Sequence, residues 1–113
     1  MAEELVDTDV VIDHLKGVDR LPRRRAKLSY SIVTRAELFA GPEHQVPVVR
    51  RLLGSLDEIQ VDRRIAERSG EIRRELGLRL PDALIAATAL VHELPLRTRN
   101  RDDFRRVPGL RLR

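Results

Sequence analysis

The feature that most limits the fold of this chain is an alternation between short apolar runs and longer segments with helical patterns. The apolar runs are typical of buried strands, whereas segment 62–76 places Ile65, Ile72 and Leu76 along one face of a helix. We predict strands at 5–8, 28–33, 58–61, 95–98 and 109–113. We predict helices at 10–17, 34–41, 46–56, 62–76 and 81–94. Strands that alternate with helices indicate an α/β fold around a mostly parallel sheet of four to five strands.

Length and composition indicate one globular domain over residues 1–113, with 42% hydrophobic residues. Aromatic residues make up only 3% of the chain, which argues against a surface that binds nucleic acid mainly by base stacking. The absence of cysteine excludes disulfides and thiolate metal sites, and it favours a reducing cytoplasm. The start MAEEL lacks the pattern of a signal peptide, and no apolar run approaches the roughly 20 residues of a membrane span.

The charge balance is basic, with 22 Lys and Arg against 18 Asp and Glu and a formal net charge of +4. Lys16 and Lys27 are the only lysines, so the positive charge is almost entirely arginine, whose planar fork suits phosphate. A polyanionic partner and a simple preference for arginine codons both explain this composition.

Four acidic residues occupy related positions in the predicted fold: Asp7, Glu37, Asp82 and Asp103. Asp7, Glu37 and Asp103 follow predicted strands. Asp82 begins a helix that leads into the strand at 95–98. In a parallel sheet these positions meet at the carboxyl edge, where ligands bind.

Each acid also has a purely structural explanation. Asp7 is suited to cap a helix. Thr34 and Glu37 have the spacing of a capping box, and Asp82 suits the positive end of a helix dipole. Asp103 fits a solvated turn.

Several carboxylates at one edge repel each other, and a bound cation removes that cost. Oxygen ligands suit Mg²⁺ or Mn²⁺. A zinc site is not expected, because the chain has no cysteine and its three histidines (His14, His44 and His92) are scattered.

Four motifs in this order resemble the PIN-domain ribonuclease toxins of VapBC toxin–antitoxin modules, the VapC family. The motifs are LVDTDVVIDHL (5–15), SIVTRAELFAG (31–41), LPDALIAATAL (80–90) and TRNRDDF (98–104), and the closing VPGLRL (107–112) continues the resemblance. The resemblance implies a single PIN domain, an α/β/α sandwich. It further implies Mg²⁺- or Mn²⁺-dependent endonucleolytic cleavage of RNA, a VapB-like antitoxin as partner, and a homodimer.

The resemblance also implies roles for individual residues. Asp7, Glu37, Asp82 and Asp103 match the metal-binding acids of the family. Thr98 and Asn100 match the residues that order such a site by hydrogen bonds, and Asp9 stands where Asn or Ser is more frequent. Asp102 competes with Asp103 for the position facing the metal, and the spacing to Phe104 favours Asp103. Three arginines near the same edge are candidates to hold flanking phosphates or are simply solvated: Arg35, Arg99 and Arg101.

Three alternatives remain open at this stage. A strand followed by Asp7-x-Asp9 also resembles the haloacid-dehalogenase-type phosphatases, although Val11 stands where that pattern has Thr and no lysine follows Lys27. A non-catalytic basic interaction domain, in which every acid is a helix cap, is the second alternative. A PIN-like nuclease acting on DNA or on structured junctions is the third alternative.

Overall fold

The centre of the fold is a four-stranded, all-parallel sheet in the order β3–β2–β1–β4. The computed structural model describes residues 2–113. The strands are β1 (Ala2–Val6), β2 (Ala26–Ser31), β3 (Asp57–Ile59) and β4 (Leu96–Arg97). Leu5 of β1 is in register with Ser29 and Leu96, so the ends of β1, β2 and β4 lie at one edge.

Six helices flank this sheet, together with one 3-10 turn at Glu43–Gln45. They are α1 (Thr8–Leu15), α2 (Ile32–Phe39), α3 (Val46–Leu53), α4 (Arg63–Leu76), α5 (Leu80–Val91) and α6 (Arg101–Arg105). Helix α6 falls where the sequence predicted only a turn. Within residues 2–113, no helix combines the length and the apolar character needed to cross a membrane.

The hydrophobic core has two parts, one on each face of the sheet, because successive side chains of a strand point to opposite faces. Leu5 packs with residues of α4, α5 and α6, among them Ile65, Ile85 and Phe104. Val6, the next residue of β1, packs in the other part, which contains residues of α1, α2 and α3. The predicted α/β/α sandwich with a parallel sheet is therefore confirmed.

The ends of the first two strands differ from the prediction. Strand β1 ends at Val6, and Asp7 is the N-cap of α1 with its carboxylate accepting from the Thr8 backbone N–H. Strand β2 ends at Ser31, whose hydroxyl caps α2 by accepting from the Val33 N–H. Because Ser31 is the cap, Thr34 lies inside the helix and the predicted Thr34–Glu37 capping box is wrong.

Other boundaries shift by a few residues. Helix α3 ends at Leu53 instead of residue 56, and the Ser55 hydroxyl donates to the Leu52 carbonyl at 2.6 Å just beyond its end. Strand β3 begins at Asp57 and has only three residues. The strand predicted at 109–113 forms a single parallel bridge, from Leu112 to Leu96.

Helices α4 and α5 are joined by only three residues, 77–79, and pack against each other. Gly77 has a φ of +69°, the left-handed conformation that ends a helix and that glycine adopts without strain. The carbonyl of Leu76 accepts from Arg106, which follows α6, at 2.9 Å. This contact places the end of α4, and hence the start of α5, near α6 and the carboxyl edge of the sheet.

A buried ion pair joins β1 to β4 beneath this edge. The Arg97 guanidinium donates to both oxygens of Glu4, at 2.7 and 3.1 Å, and Glu4 is only 5% exposed. Arg113 approaches the same carboxylate at 3.8 Å. A two-pronged contact of this kind holds neighbouring strands in register.

Replacing Arg97 by Met should lower the free energy of unfolding, because it leaves the buried Glu4 carboxylate without its main partner. We expect a loss of about 2–3 kcal/mol, below the roughly 3–5 kcal/mol of a fully buried pair, because the Arg97 side chain is 35% exposed. Urea unfolding measures the change. Lys27→Met is the matched control, since Lys27 pairs with Glu3 and Asp57 on the surface; an equal shift in both variants would contradict the assignment.

Candidate active site at the carboxyl edge

A cavity of about 210 Å³ lies at the carboxyl edge and is lined by acids from three separate segments. Asp7 and Asp9 come from the start of α1, Glu37 from α2, and Asp82 from the first turn of α5. Its lining also includes Thr8, Ile12, Arg79 and Asn100. The fold thus brings three of the four predicted site acids together, and it adds Asp9.

Asp7 is the most enclosed acid of the group, at 5% exposure. Its Oδ1 accepts from the Thr8 N–H at 2.8 Å, and its Oδ2 accepts from the Thr98 hydroxyl at 2.8 Å. Both donors are neutral, so they orient the carboxylate without cancelling its charge. Capping and site roles are therefore compatible in this one residue.

The electrostatic environment disfavours the charged form of Asp7. Burial, then the nearby carboxylate of Asp9 and to a smaller extent that of Asp82, raise its pKa from 3.8 to about 7, against the lowering effect of the Thr98 and Thr8 hydrogen bonds. Burial also raises the pKa of Asp9. Such crowding of carboxylates is the situation that a bound cation relieves.

Glu37 is positioned by a threonine of another helix. The Thr8 hydroxyl donates to Glu37 Oε1 at 2.7 Å, so in its 2.9 Å contact with the Thr34 hydroxyl, Thr8 accepts. Both threonines are buried. Sequence reasoning missed this pair of hydroxyls, since nothing in the spacing indicates a bond between residues 29 positions apart.

Asp82 reaches the cavity from the N-terminus of α5, with its side chain 13% exposed. Within residues 2–113, the one charged group that hydrogen-bonds to the Asp82 side chain is Arg79, whose Nε donates to Asp82 Oδ2 at 3.4 Å. Arg79 is 77% exposed and lines the cavity. It was not among the predicted site residues, although its position just before the Pro81-Asp82 helix start is a usable signal.

Asp103 lies outside the cavity lining and is exposed. Its Oδ2 accepts from the Asn100 side-chain amide at 3.1 Å, and Asn100 lines the cavity. Asp102 points elsewhere, is 94% exposed and pairs with Arg105. Of the two neighbouring acids, Asp103 is therefore the one connected to the site.

Asp9 and Asp13 are four residues apart in α1 and are both contacted by Arg99. The Arg99 backbone N–H approaches the Asp9 carboxylate at 3.3 and 3.5 Å, and its guanidinium donates to Asp13 at 2.7 Å. Asp13 is buried and was missed by sequence reasoning. Arg99 therefore connects the segment after β4 to α1 and positions the Asp9 carboxylate at the rim of the cavity.

The three arginines suggested as phosphate contacts have partners within the chain. Arg99 binds Asp13, Arg35 binds Glu58 and the Tyr30 hydroxyl, and Arg101 donates to the Arg113 carbonyl. None of the three lines the cavity. Their contact with a phosphate remains a prediction.

The donor set fits a hard divalent cation. All the acidic groups at the cavity offer carboxylate oxygens, the ligands that Mg²⁺ and Mn²⁺ prefer. Among residues 2–113, no three acidic or histidine side chains stand close enough to encircle one ion directly. Mg²⁺ usually keeps several waters and binds proteins through only one or two carboxylates.

Comparison with known proteins agrees with this fold. The family model for the PIN domain matches residues 5–110. Ribonuclease VapC10 of Mycobacterium tuberculosis is 40% identical over 108 residues, covering 85% of this chain and 81% of that protein. The tRNA(fMet)-specific endonuclease VapC of Shigella flexneri is 31% identical over 127 residues, covering 98% of this chain and 96% of the relative.

Two solved structures extend the likeness to three dimensions. A toxin–antitoxin complex from Klebsiella pneumoniae contains a chain with a TM-score of 0.82 and 38% identity, covering 95% of this chain and 94% of that one. DNA-bound VapBC from Salmonella typhimurium contains a chain with a TM-score of 0.87 and 28% identity, with coverages of 100% and 98%.

The raised pKa of Asp7 predicts how the metal-free protein responds to pH. A carboxyl group whose pKa is higher in the folded than in the unfolded state stabilises fully below pH 3.8, and that contribution is lost as pH rises through about 7. Asp7→Asn removes this dependence. With chelator present, the melting temperature of Asp7→Asn minus that of wild type should therefore increase between pH 5 and pH 8.

Differential scanning fluorimetry across this pH range measures the effect. Asp102→Asn, which removes an exposed acid, is the control and should track wild type. A difference between Asp7→Asn and wild type that stays constant with pH would contradict the raised pKa.

Proposed function

This chain belongs to the PIN-domain family, and we propose that it is the toxin of a type II toxin–antitoxin module. Its activity is divalent-metal-dependent endonucleolytic cleavage of RNA phosphodiester bonds. The relatives named as VapC ribonucleases support the RNA specificity. The proposed metal is Mg²⁺ or Mn²⁺.

The observation that carries the proposal is the convergence of Asp7, Glu37 and Asp82 on one cavity from α1, α2 and α5. Helix caps do not need to meet, and a non-catalytic domain gains nothing from bringing their charges together. The buried position of Asp7 makes this convergence costly for a metal-free protein. A cation-dependent function explains why the cost is tolerated.

The residues at the acidic cavity have different proposed roles. Asp7 and Asp82 supply carboxylate oxygens to the metal, with Asp103 at the rim, and Glu37 completes the acidic group. Thr98 is a positioning residue that holds Asp7 Oδ2, and Thr8 holds Glu37. Asn100 orients Asp103. Asp9 is a further acceptor at the rim.

The chemistry that a bound divalent ion supplies in such a site is polarisation of the scissile phosphate and a lowered pKa for the attacking water. The protein contributes the preorganised oxygens around it. Because Thr8 and Thr98 are uncharged donors, the carboxylates keep their negative charge for the cation. Arg79, which is 77% exposed and lines the cavity, is the guanidinium best placed to contact a phosphate there.

A VapB-type antitoxin is the proposed protein partner, because the structural neighbours include VapBC complexes. We also propose a homodimer of the toxin. Copurification with the small protein encoded next to this chain, followed by inhibition of cleavage, tests the first assignment. The phosphatase alternative based on Asp7 and Asp9 has no support in the comparisons.

Substitution of the central acids should abolish cleavage. Asp7→Asn and Asp82→Asn remove oxygens from the cavity centre, so each should lose RNA cleavage with Mg²⁺ or Mn²⁺, as wild type should with chelator. Gel-based cleavage of total tRNA and of an unstructured RNA, with a DNA of the same sequence, measures activity and substrate class. Asp102→Asn should keep wild-type activity. Cleavage by Asp7→Asn at the wild-type rate would eliminate the proposed site.

Thr98→Val should weaken metal use without unfolding the protein. The change leaves Asp7 Oδ2 without its donor, and loss of such an orienting bond costs roughly 10–100-fold in metal affinity or activity. We expect a higher Mn²⁺ concentration for half-maximal cleavage, with activity partly restored at high Mn²⁺. Thr88→Val is the matched control, because Thr88 is also buried but its hydroxyl bonds only the Leu84 carbonyl of its own helix. Equal Mn²⁺ dependence in the two variants would rule out a positioning role for Thr98.

A further inference from the structure

The net positive charge of this chain is concentrated in one loop. Residues 16–25, which join α1 to β2, contain five basic residues and one acid, Asp19. The loop therefore carries four net positive charges, equal to the formal net charge of the whole chain. The remaining 103 residues are balanced between acids and bases. We call this segment the basic loop.

The basic loop is anchored to the fold while its charges remain free. Leu21 is 6% exposed and packs in the core beside α1, and its N–H donates to His14 Nδ1 at 3.1 Å. Arg23 contacts the Ser55 hydroxyl at 3.4 Å. Within residues 2–113, the guanidinium groups of Arg20, Arg24 and Arg25 have no hydrogen-bond or ion-pair partner.

These arginines surround an open space large enough for a ligand. A cavity of about 840 Å³ is lined by four loop arginines, Arg20, Arg23, Arg24 and Arg25, together with His14. The pKa of His14 is lowered, first by burial and then by the charges of Arg23 and Arg20. The lowered pKa favours the neutral form of His14, so the positive field of the cavity comes mainly from the guanidinium groups.

The basic loop and the acidic cavity lie at opposite ends of α1. The helix begins beside Asp7 and ends at Leu15, so its eight residues separate the two by about 12 Å. A stacked nucleic-acid strand advances about 3.4 Å per nucleotide. A stacked strand that contacts both places therefore contains at least about four nucleotides.

The acidic cavity supplies little RNA affinity by itself, because its carboxylates repel phosphate and, among residues 2–113, Arg79 is the one guanidinium in its lining. Two other arginines near this edge pair with acids: Arg99 with Asp13, and Arg35 with Glu58. We propose, on the basis of the proposed ribonuclease function, that the basic loop binds backbone phosphates of the RNA substrate at a distance from the cleavage site. The contact is independent of sequence and favours substrates longer than a few nucleotides.

Equilibrium binding in chelator tests the proposal separately from catalysis. The probe is a fluorescent single-stranded 20-nucleotide RNA, read by anisotropy at several salt concentrations. The variant carries Arg20→Gln, Arg24→Gln and Arg25→Gln. Losing three phosphate contacts should weaken binding on the order of 10- to 100-fold at 0.1 M salt, and it should reduce the slope of log affinity against log salt by about 2.

Two matched variants separate local from general charge effects. Replacement of the same three arginines by Lys keeps the charge and should keep binding within a few-fold. Gln replacement of three exposed arginines of α4, Arg63, Arg64 and Arg74, removes equal charge on the other face of the sheet and should have little effect. Equal losses in the α4 variant and the loop variant would overturn the proposal.

Cleavage kinetics with Mn²⁺ give the second readout. For the 20-nucleotide RNA the loop variant should show a raised KM with unchanged kcat, and for a trinucleotide its kcat/KM should equal that of wild type. Wild-type affinity and salt dependence in the loop variant would overturn the inference while leaving the ribonuclease function intact. Absence of any RNA cleavage by wild type would instead overturn the proposed function.

Labelled poly-glutamate tests the competing class of partner. If the loop variant loses poly-glutamate binding but binds RNA as wild type does, the basic loop is a site for an acidic polypeptide, and the RNA proposal is wrong. Weaker RNA binding by the loop variant, together with nearly wild-type RNA binding by the Lys variant, supports the RNA proposal.

Discussion

Burial of the Asp7 carboxylate at the end of β1 is the constraint on which the organisation of this site depends. Strand β1 is central in the sheet and contributes Leu5 to one part of the core and Val6 to the other, so the residue that follows has little freedom to move towards solvent. At that position Asp7 meets a donor from its own helix, Thr8, and one from the segment after β4, Thr98. The hydrogen bond from Thr98 to the Asp7 carboxylate thus joins two residues that are 91 positions apart in the chain.

Uncharged donors hold three members of the acidic group, whereas Asp82 accepts from the Arg79 guanidinium. Threonine hydroxyls hold Asp7 and Glu37, and a side-chain amide holds Asp103. Guanidinium groups would hold the same carboxylates more strongly, but they would also neutralise them and compete with a cation. The chain has abundant arginine, and several arginines pair with acids outside this group, such as Glu4, Asp13 and Glu58. Within residues 2–113, Asp7, Glu37 and Asp103 have no arginine side chain as a partner.

The sequence was sufficient to predict the parallel sheet, the order of the main elements and three of the four acids expected at its edge, because strand and helix periodicities differ and parallel strands share an edge. It was not sufficient for details that depend on contacts between distant segments. Ile32 and Val33 favour a strand by propensity, so the cap at Ser31 was hidden, and with it the true partner of Glu37. Helix α6 is too short to show an apolar period. The orientation of α4 on the sheet depends on its packing against α5. The apolar pattern of α4 alone does not show which helix it will contact.

The two edges of the sheet have a consequence for self-association. A long exposed edge strand is a template for pairing with another chain, and proteins avoid this with short or charged edges. Here β3 has only three residues and begins with Asp57 and Glu58, while the other edge, β4, is occupied by the bridge to Leu112. Neither edge offers a run of free backbone groups to a second sheet. A continuous sheet that runs from one copy of this chain into another is therefore not expected for the folded molecule.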